Sequence, residues 1–475
     1  MRAPTLPHCQ RREPVRLLTN LPLECFDERA AMHGVELVTY GPPERMRIDG
    51  VHFPFDVAFD PSTGTWNELR ALLPHGFAPD LVLIWWPDQE PLPAGLEQCP
   101  IPVVGVVSDY NLTLPYTVGL WPFFDVLLCD RAGQDLFARL GFAAVRYWCQ
   151  YAHKRSFHRI WPDVGTRSID IGFTGNLNPA VQRERAPWLD RVRNLSKHGV
   201  HSDVRTGLHG ADYGRFLSRC RIGWNRSIRG EMNLRGFEVP ACGALLLMER
   251  SNLEVANFFE PGEECVLHDD DDFEAVVHEL LADPARCERI AAAGHRRVQQ
   301  HRLGNRLGQL VSVLTDRSPG RPPSSAAERA LGRATAMLTT WATGEACTTA
   351  ALAAHQLAPD DPRTLNLLAL AMLRWHGGNG ANTAFQLWQR ATAVAPHYVP
   401  AAASLHVLAG STGDGGLQAR VRADLERRLA TAAWADLDGP ILPLGYGAIA
   451  IDRSLALQAA VRGGSTKLLA QALQP

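Results

Sequence analysis

The sequence predicts an α/β protein built from two parallel-sheet units and followed by an all-α region. Up to Leu314, short apolar runs alternate with segments of helical spacing, and this alternation is typical of right-handed βαβ units. The composition changes at Arg317–Ser325, RSPGRPPSS, which reads as a linker. Beyond it the chain is rich in Ala and Leu and has no strand pattern.

The length of 475 residues fits about three domains. The predicted parts are a disordered lead-in at residues 1–13, a first α/β unit at 14–160, a second α/β unit at 161–316, a linker at 317–327 and a helical domain at 328–475.

The composition excludes several classes of protein. A net charge of −2 gives no general attraction to nucleic acid or to an anionic membrane. No apolar run approaches the roughly 20 residues of a membrane span, and the N-terminus has no apolar signal segment. The ten cysteines form no CxxC pair and lie mostly in apolar surroundings, as reduced core cysteines do. We expect a cytoplasmic protein, and its preference for Arg over Lys indicates a GC-rich bacterial genome.

The first α/β unit is read from apolar runs and turn residues. Its predicted strands are Val15–Leu18, Val35–Tyr40, Asp56–Phe59, Leu81–Trp86, Ile101–Val107, Val126–Cys129 and Val145–Trp148, and its predicted helices are Glu24–Gly34, Thr65–Leu73, Thr113–Phe124 and Gly133–Leu140. Ligands bind parallel sheets at the carboxyl ends of the strands. Asp109, Tyr110 and Asn111 follow one strand and His153 follows another, so we expect them at the binding edge.

The second α/β unit is read in the same way. Its predicted strands are Ile169–Asn176, which enters a Gly turn, Val204–Thr206, Ile222–Trp224, Ala244–Met248 and Cys265–His268, and its predicted helices are Arg183–Leu195, Tyr213–Arg221, Asn233–Cys242, Glu254–Phe259, Phe273–Leu281, Pro284–Gln300 and Arg306–Leu314. The acidic run Asp269–Asp272 fits a helix N-terminus, where negative charge is favoured, better than a metal site.

The most informative stretch runs from Arg219 to Arg250. It reads as strand, polar loop, helix, tight turn and strand, with Gly243 as the residue that ends the helix. The loop carries Arg226 and Arg229, whose planar guanidinium groups suit a phosphate. The helix presents Glu238, a carboxylate suited to ribose or sugar hydroxyls. The stretch therefore predicts a nucleotide-sugar site.

The same stretch resembles the donor-binding core of GT-B glycosyltransferases, and most of all their CgeB-like, spore-coat-type branch. It matches the pattern of that branch at Asn225, Arg226, Ser227, Arg229, Gly230, Glu231, Asn233, Arg235, Phe237, Glu238, Ala241, Cys242, Gly243 and Leu245 to Leu247. The resemblance implies two Rossmann-like domains that face each other across a cleft, with the acceptor on the first and the donor on the second. It also implies a glycosyltransferase of hexosyltransferase type that retains anomeric configuration.

The resemblance further implies roles for individual residues. The donor-binding residues are Gly175, Asn176, Arg226, Arg229, Asn233 and Glu238. Asp109 and His153, which the strand pattern places at the binding edge, join Glu231 in the candidate catalytic set. The resemblance gives Glu231 as a contact to the donor sugar; a solvated surface pair of Glu231 with Arg229 is the alternative. Positive charge and backbone N–H groups would stabilise the leaving diphosphate, so we expect no metal and no cofactor besides the nucleotide-sugar substrate.

The helical region contains two similar segments. They are Ala353–Pro359, with the pattern A-x-x-x-L-A-P, and Ala391–Pro396, with the pattern A-x-x-V-A-P. Their separation is close to the period of about 34 residues in tetratricopeptide repeats, so the region resembles a degenerate tetratricopeptide module; a generic helical bundle is the alternative. Such arrays bind peptides or proteins along one face. We expect this one to fold apart from the α/β units and to recruit the acceptor, a protein or a glycan.

Two other functions stay open at this point. A nucleotide-sugar epimerase could use the same fold, but a free sugar nucleotide needs no appended binding arm. A non-catalytic nucleotide-sugar-binding scaffold is the second alternative, and the arginines together with Glu238 argue against it. Fold alone does not decide between them, because it hosts many chemistries.

Overall fold

The computed structural model describes residues 14–21, 34–42, 47–48, 51–52, 55–179, 182–315, 324–442, 444, 452–453 and 456–460. The predicted lead-in, the helix predicted at Glu24–Gly34 except for its last residue, and most of the predicted linker lie outside these ranges.

The first domain is a parallel sheet with helices on its faces. Its elements are β1 (Val15–Thr19), β2 (Val35–Gly41), β3 (Arg47–Ile48), β4 (Val51–His52), β5 (Val57–Ala58), α1 (Trp66–Ala71), β6 (Leu81–Trp85), β7 (Val103–Val106), α2 (Tyr110–Leu120), β8 (Val126–Cys129), α3 (Arg131–Arg139) and β9 (Val145–Tyr147). Seven strands pair in the order β5-β2-β1-β6-β7-β8-β9, all parallel. The central strands are buried along their length, as a sheet covered on both faces requires.

Helix α2 begins three residues earlier than the sequence pattern predicts. Thr113 has a non-helical backbone, with φ −137° and ψ 22°, and Pro115 lies inside the helix. Pro115 has no N–H to pair with the carbonyl of Asn111, four residues before it. That carbonyl instead accepts the side-chain amide of Gln458, which comes from the far end of the chain, at 3.1 Å.

The second domain is a smaller sheet of the same kind. Its elements are β10 (Ile169–Thr174), α4 (Ala186–Asn194), β11 (Ser202–Arg205), α5 (Gly210–Arg219), β12 (Cys220–Trp224), α6 (Leu234–Ala241), β13 (Leu245–Glu249), β14 (Val266–His268), α7 (Phe273–Ala282), α8 (Pro284–Val298) and α9 (Leu303–Thr315). The strands pair in the order β11-β10-β12-β13-β14, all parallel. The helix predicted at Glu254–Phe259 is wrong: only one 3₁₀ turn forms, at Val255–Asn257, and it ends at Phe258, whose φ of −118° departs from helical geometry.

Helix α9 leaves the second sheet and packs on the first. Leu303, Leu307, Leu310 and Leu314 form its apolar stripe and share a hydrophobic core with strands β1, β6 and β7. The indole of Trp148 donates a hydrogen bond to the carbonyl of Arg306 at 3.0 Å. The two domains are therefore joined by two crossings of the chain. The predicted class, two Rossmann-like domains followed by an all-α region, is confirmed.

The helical region follows directly. Its helices are α10 (Ala326–Thr339), α11 (Gly344–Leu357), α12 (Pro362–His376), α13 (Ala381–Val394), α14 (Val399–Gly410) and α15 (Gly415–Thr431). Among the described residues, none of the helices is long and apolar enough to cross a membrane.

The expectation that the helical region folds apart from the α/β units is wrong. Helix α10 packs closely on α2 and on the 3₁₀ turn that follows it, because glycines lie at the contact. A Cβ on Gly332 would lie 2.7 Å from the Cβ of Phe123, and a Cβ on Gly119 would lie 2.9 Å from Thr335. Helices α14 and α15 contribute side chains to the same hydrophobic core as the first sheet. The linker pattern at Arg317–Ser325 shows only a change of composition and does not reveal this shared core.

Candidate functional site

A cavity of about 430 Å³ opens at the carboxyl ends of β10 and β11. It is lined by the turn after β10, which holds Gly175 and Asn176, by the loop Thr206–Gly210 after β11, and by Glu238 of helix α6. A further wall comes from the segment that connects the two sheets. Three larger cavities, of about 620, 630 and 590 Å³, lie behind Gly243, beside Tyr398 and beside Tyr147, away from this edge. The smaller cavity is the one at the ligand-binding edge of a parallel sheet.

Glu238 lies in this cavity, as the sequence predicts, and two side chains lie next to its carboxylate. The hydroxyl of Tyr213 donates a hydrogen bond to Glu238 Oε2 at 2.6 Å, and His158 Nε2 lies 3.6 Å from Glu238 Oε1. Burial, followed by the charge of Glu238, raises the pKa of Tyr213 well above its ordinary value, so the hydroxyl keeps its proton. Burial lowers the pKa of His158, which Glu238 only partly opposes.

Two arginines beside this cavity were not predicted as site residues. Arg235 of α6 donates to the carbonyl of Thr174 at 2.8 Å and to Asn225 Oδ1 at 3.2 Å. Arg185 is buried, donates to the carbonyl of Arg226 at 3.3 Å, and leaves its Nε without a partner. Both guanidinium groups lie over the same aromatic ring, at 4.1 and 5.6 Å from its centroid.

The charges of these two arginines are not neutralised within the described part of the chain, where no carboxylate lies at salt-bridge distance from either guanidinium. Burial lowers the pKa of Arg185 to about 10, and the neighbouring charge of Arg235 adds to the effect. At neutral pH the Arg185 guanidinium is still protonated. Arg185 is buried and Arg235 is partly buried, and neither has a carboxylate counter-ion among the described residues, so an anion bound here would be stabilised by both charges.

The Gly175 turn brings the backbone close to this pair. A Cβ on Gly175 would lie 2.1 Å from the terminal nitrogen of Arg235, so only glycine leaves room for the guanidinium. The N–H of Gly175 already donates to the carbonyl of Arg205 at 3.2 Å. Asn176 is exposed on the cavity wall, and its Oδ1 accepts the N–H of Asn178. The turn therefore shapes the site, while the positive charge comes from the arginines.

Arg229, predicted to bind a phosphate, is placed elsewhere. Its side chain is only 4% exposed, its Nε donates to Asp130 at 3.1 Å, and it also donates to Asn111 Oδ1. Burial alone would lower the pKa of Arg229, but the charges of Glu231 and Asp130 raise it well above its ordinary value. Since Asp130 follows β8 and Arg229 follows β12, this pair joins the facing carboxyl ends of the two sheets. Its charge is already paired with carboxylates of the chain, and its role as a phosphate ligand stays a prediction.

Glu231 also turns inward instead of toward the cavity. Its carboxylate accepts the backbone N–H groups of Ile228, at 3.2 and 3.3 Å, and of Arg229, at 2.7 Å. The side chain is 4% exposed, so the solvated surface pair is wrong as well. In this structure Glu231 stabilises the loop that carries Arg229.

The remaining two donor-site predictions have local partners. Arg226 pairs with Asp270 at 3.2 Å and lies 4.2 Å from the ring centre of Trp188. Asn233 is the N-cap of α6, where its side chain accepts the N–H of Gly236. Neither residue lines the cavity.

The two first-domain candidates lie apart from the cavity. Asp109 precedes α2, is about half-exposed at 45%, and lies 3.8 Å from Arg229. His153 is buried, and its Nδ1 has no partner. Burial lowers the pKa of His153 to about 3, with a further contribution from His158, so the ring is neutral at physiological pH.

A second link joins the domains close to Arg229. One carboxylate oxygen of Glu254 accepts the N–H of Arg131, the first residue of α3, at 2.9 Å. The other accepts the N–H of Met232 in the second domain at 3.0 Å. Burial raises the pKa of Glu254 to about 7, although both N–H groups oppose the shift. Among the described residues, no cluster of three or more His, Cys, Asp or Glu side chains is placed to hold a metal ion.

Solved glycosyltransferase structures are similar to part of this chain. An alpha-glucosyltransferase solved with UDP-glucose and DNA containing an abasic site is 12% identical over 64% of this chain and 99% of its own, with a TM-score of 0.46. HepE from Anabaena in complex with UDP is 13% identical over 63% and 98%, with a TM-score of 0.41. Sucrose-phosphate synthase from Thermosynechococcus elongatus is 12% identical over 63% and 98%, with a TM-score of 0.38.

These structural likenesses are too low to bear on the substrate of this chain, and no curated protein matches it. Residues 166–312 match the family model described as Glycosyl transferase-like. This range begins just before β10 and ends within α9, and it includes Gly175, Arg185, Arg235 and Glu238. The matched range spans the second parallel sheet of the chain and the helices around it.

Proposed function

We propose that the protein is a glycosyltransferase that moves a sugar from a nucleoside diphosphate sugar to an acceptor. The observation that carries the proposal is the pair Arg185 and Arg235, two cations with no carboxylate at salt-bridge distance among the described residues, beside a cavity that presents Glu238. A nucleoside diphosphate offers the complementary groups, a dianionic or trianionic diphosphate and a ribose diol. The pair belongs to a glycosyl transferase-like domain, which favours transfer over simple binding.

The two arginines supply the electrostatic part of the chemistry. As the bond between the sugar and the diphosphate breaks, negative charge builds up on the departing phosphate oxygens. Two guanidinium groups in a site of low polarity stabilise that charge more strongly than they would in water. We therefore propose a reaction that needs no divalent metal, with Arg185 and Arg235 in the place that Arg226 and Arg229 were expected to fill.

Glu238 supplies the orientation. Its carboxylate, held by Tyr213, has lone pairs left to accept both hydroxyls of a ribose. Binding of the nucleoside at Glu238 and of the diphosphate at the arginines would place the sugar toward the cleft between the domains. Retention of anomeric configuration and membership of the CgeB-like branch are part of the proposal, and the pattern from Asn225 to Leu247 supports both.

The acceptor is proposed to enter from the first domain. Asp109 is half-exposed at the carboxyl edge of the first sheet, which faces the second sheet through the Arg229 link. The helical region, with the helix pairs α10–α11, α12–α13 and α14–α15, is proposed as a tetratricopeptide-like module that recruits a protein or glycan acceptor. Because it packs on the first domain, an acceptor bound there would be carried on the acceptor side of the cleft.

The test is turnover of a panel of labelled nucleotide-sugars by the full-length chain. UDP-glucose, UDP-N-acetylglucosamine, GDP-mannose and dTDP-rhamnose are incubated with and without an extract of candidate acceptors. We expect release of nucleoside diphosphate from one donor, faster when acceptor is present, and strongly reduced in Arg235→Met. Arg205→Met is the matched control, since Arg205 is exposed and paired with Asp203.

Other outcomes separate the alternatives. Interconversion of the sugar without release of nucleotide would identify an epimerase. Binding of a nucleotide-sugar without any turnover would identify a scaffold. Release that is equally fast in Arg235→Met would contradict the role of the arginine pair.

A further inference from the structure

The segment that connects the two sheets, residues 148–168, lies along helix α5. A Cβ on Gly214 of this helix would lie 2.0 Å from the carbonyl oxygen of Phe157 and 2.6 Å from the indole nitrogen of Trp161. That indole donates to the Phe157 carbonyl at 3.0 Å, and Ser218 Oγ of α5 donates to the carbonyl of Arg159 at 3.0 Å. Gly214 thus allows the segment to approach the helix closely.

The other end of the same segment is held by the first sheet. Gln150 donates through Nε2 to the carbonyl of Val107, at the end of β7, at 3.4 Å. Its Oε1 accepts the indole N–H of Trp86 at 2.9 Å. The segment is therefore anchored to one domain at its start and to the other along α5.

Between these anchors the segment places His158 in the donor cavity. The backbone N–H of Lys154 donates to His158 Nδ1 at 3.1 Å, which requires Nδ1 to be the acceptor. The neutral ring consequently carries its proton on Nε2. That nitrogen lies 3.6 Å from Glu238 Oε1, just beyond hydrogen-bond length, and the ring centre lies 5.4 Å from that of Tyr213.

We propose that His158 is a positioning residue that holds the Glu238 carboxylate for the donor ribose and couples this carboxylate to the segment joining the two domains. The inference rests on the proposed function, because it assigns a purpose to Glu238. The inference goes beyond the proposed function because the geometry of the donor site then depends on how the two domains are placed. Hydrogen bonds of this kind are often long before the ligand is bound and shorten in the complex.

A double-mutant cycle tests the coupling. The dissociation constants of UDP, GDP, ADP and dTDP are measured by calorimetry for the full-length chain, and the tightest ligand is carried forward. His158→Phe keeps the ring volume and removes the donor. We expect it to weaken binding about tenfold, the effect of one hydrogen bond to a charged group. In a Glu238→Ala background the same change should have an effect below about twofold, because the partner is gone.

Rescue separates positioning from mere packing. His158→Gln restores an N–H donor on a smaller side chain, and we expect affinity within about threefold of the wild type. Gly214→Ala pushes the segment away from α5 without touching either partner, and it should weaken binding without adding to His158→Phe. Gly378→Ala is its control, because a Cβ there meets nothing within 4 Å.

Each result decides the inference. If the wild type binds one of the four nucleotides and His158→Phe binds it as tightly, His158 is not a positioning residue, while the proposed function stands. Equal losses in the wild-type and Glu238→Ala backgrounds would also overturn the inference, since the effect would then not pass through Glu238. If the wild type binds none of the four, the proposed function and this inference both fail. Should Gly214→Ala fail to fold, the double-mutant cycle still decides.

Discussion

Replacing Arg185 by methionine should make the unliganded protein more stable and at the same time weaken binding of a nucleoside diphosphate. The lowering of the Arg185 pKa to about 10 corresponds to about 3 kcal/mol of free energy against the charged form. Methionine removes this cost and keeps apolar contact with the ring of Phe173. It loses the hydrogen bond to the carbonyl of Arg226, about 1 kcal/mol. We expect a net gain of roughly 1–2 kcal/mol, because replacing an unpaired buried charge by an apolar group often stabilises.

Arg185→Met should weaken only the binding of the diphosphate part of the ligand. Charge-assisted hydrogen bonds from Arg185 to a diphosphate contribute about 2–3 kcal/mol, so its dissociation constant should rise roughly 30- to 150-fold. Calorimetry with the nucleoside diphosphate and with the matching nucleoside separates the two parts of the ligand, and binding of the nucleoside should change little. Thermal unfolding gives the stability. Arg205→Met, at an exposed and paired arginine, should change neither quantity.

The opposite pattern would refute the reasoning. If Arg185→Met lowers the melting temperature and leaves the diphosphate affinity unchanged, Arg185 serves the fold through its carbonyl contact. The anion site would then have to lie elsewhere.

Four further predictions follow from other parts of the structure. Glu238→Ala should weaken nucleotide binding by roughly 1.5–3 kcal/mol in calorimetry while the melting temperature stays close to that of the wild type; an unchanged affinity would rule out the ribose role. Turnover should persist in excess EDTA, and complete loss that magnesium or manganese restores would contradict the metal-independent mechanism. Burial lowers the pKa of His153 to about 3, so the unfolded chain binds a proton at this ring more readily than the folded chain does, and the stability of the fold decreases as the pH falls below about 6.5. His153→Phe should therefore move the midpoint of acid unfolding to lower pH. An unchanged midpoint would contradict the burial argument. Gly332→Val should lower the melting temperature by overpacking against Phe123, at a cost of about 1–3 kcal/mol, and an unaffected melting temperature would show that α10 is not firmly docked.

The sequence was sufficient for most of the fold because the signals are local. The strand Val126–Cys129 is found at the predicted residues, and helix α1 begins after Thr65, which forms a capping box with Glu68. Helix α6 and the strand after Gly243 also lie where the pattern places them. In each case a run of apolar residues, a cap or a glycine determines the element without distant partners.

The candidate site was predicted only in part, because charge pairing depends on distant residues. Nothing near Arg229 in the sequence indicates that Asp130, 99 positions earlier, neutralises it. Arg185 lies outside the motif, in a stretch of several arginines, and only burial distinguishes it from its neighbours. Glu238 was found because it lies within the motif and on the helix that forms the cavity wall.

The packing of the helical region on the first domain could not be predicted from the sequence either. A proline-rich stretch resembles a linker whether or not the domains beyond it touch. The contact depends on Gly119 and Gly332, two glycines inside helices whose only sequence signal is lowered helix propensity. The hydrogen bond from the Gln458 amide to the carbonyl of Asn111 is equally long-range in sequence. Pro115 leaves that carbonyl without its helical partner.

The most direct test of the central claim is a crystal structure of the full-length chain with the nucleoside diphosphate that binds most tightly. We predict phosphate oxygens at about 2.7–3.2 Å from the guanidinium nitrogens of Arg185 and Arg235 and ribose hydroxyls at similar distances from the Glu238 carboxylate. A diphosphate bound at Arg226 and Arg229, or a nucleotide in the cavity behind Gly243, would contradict the account.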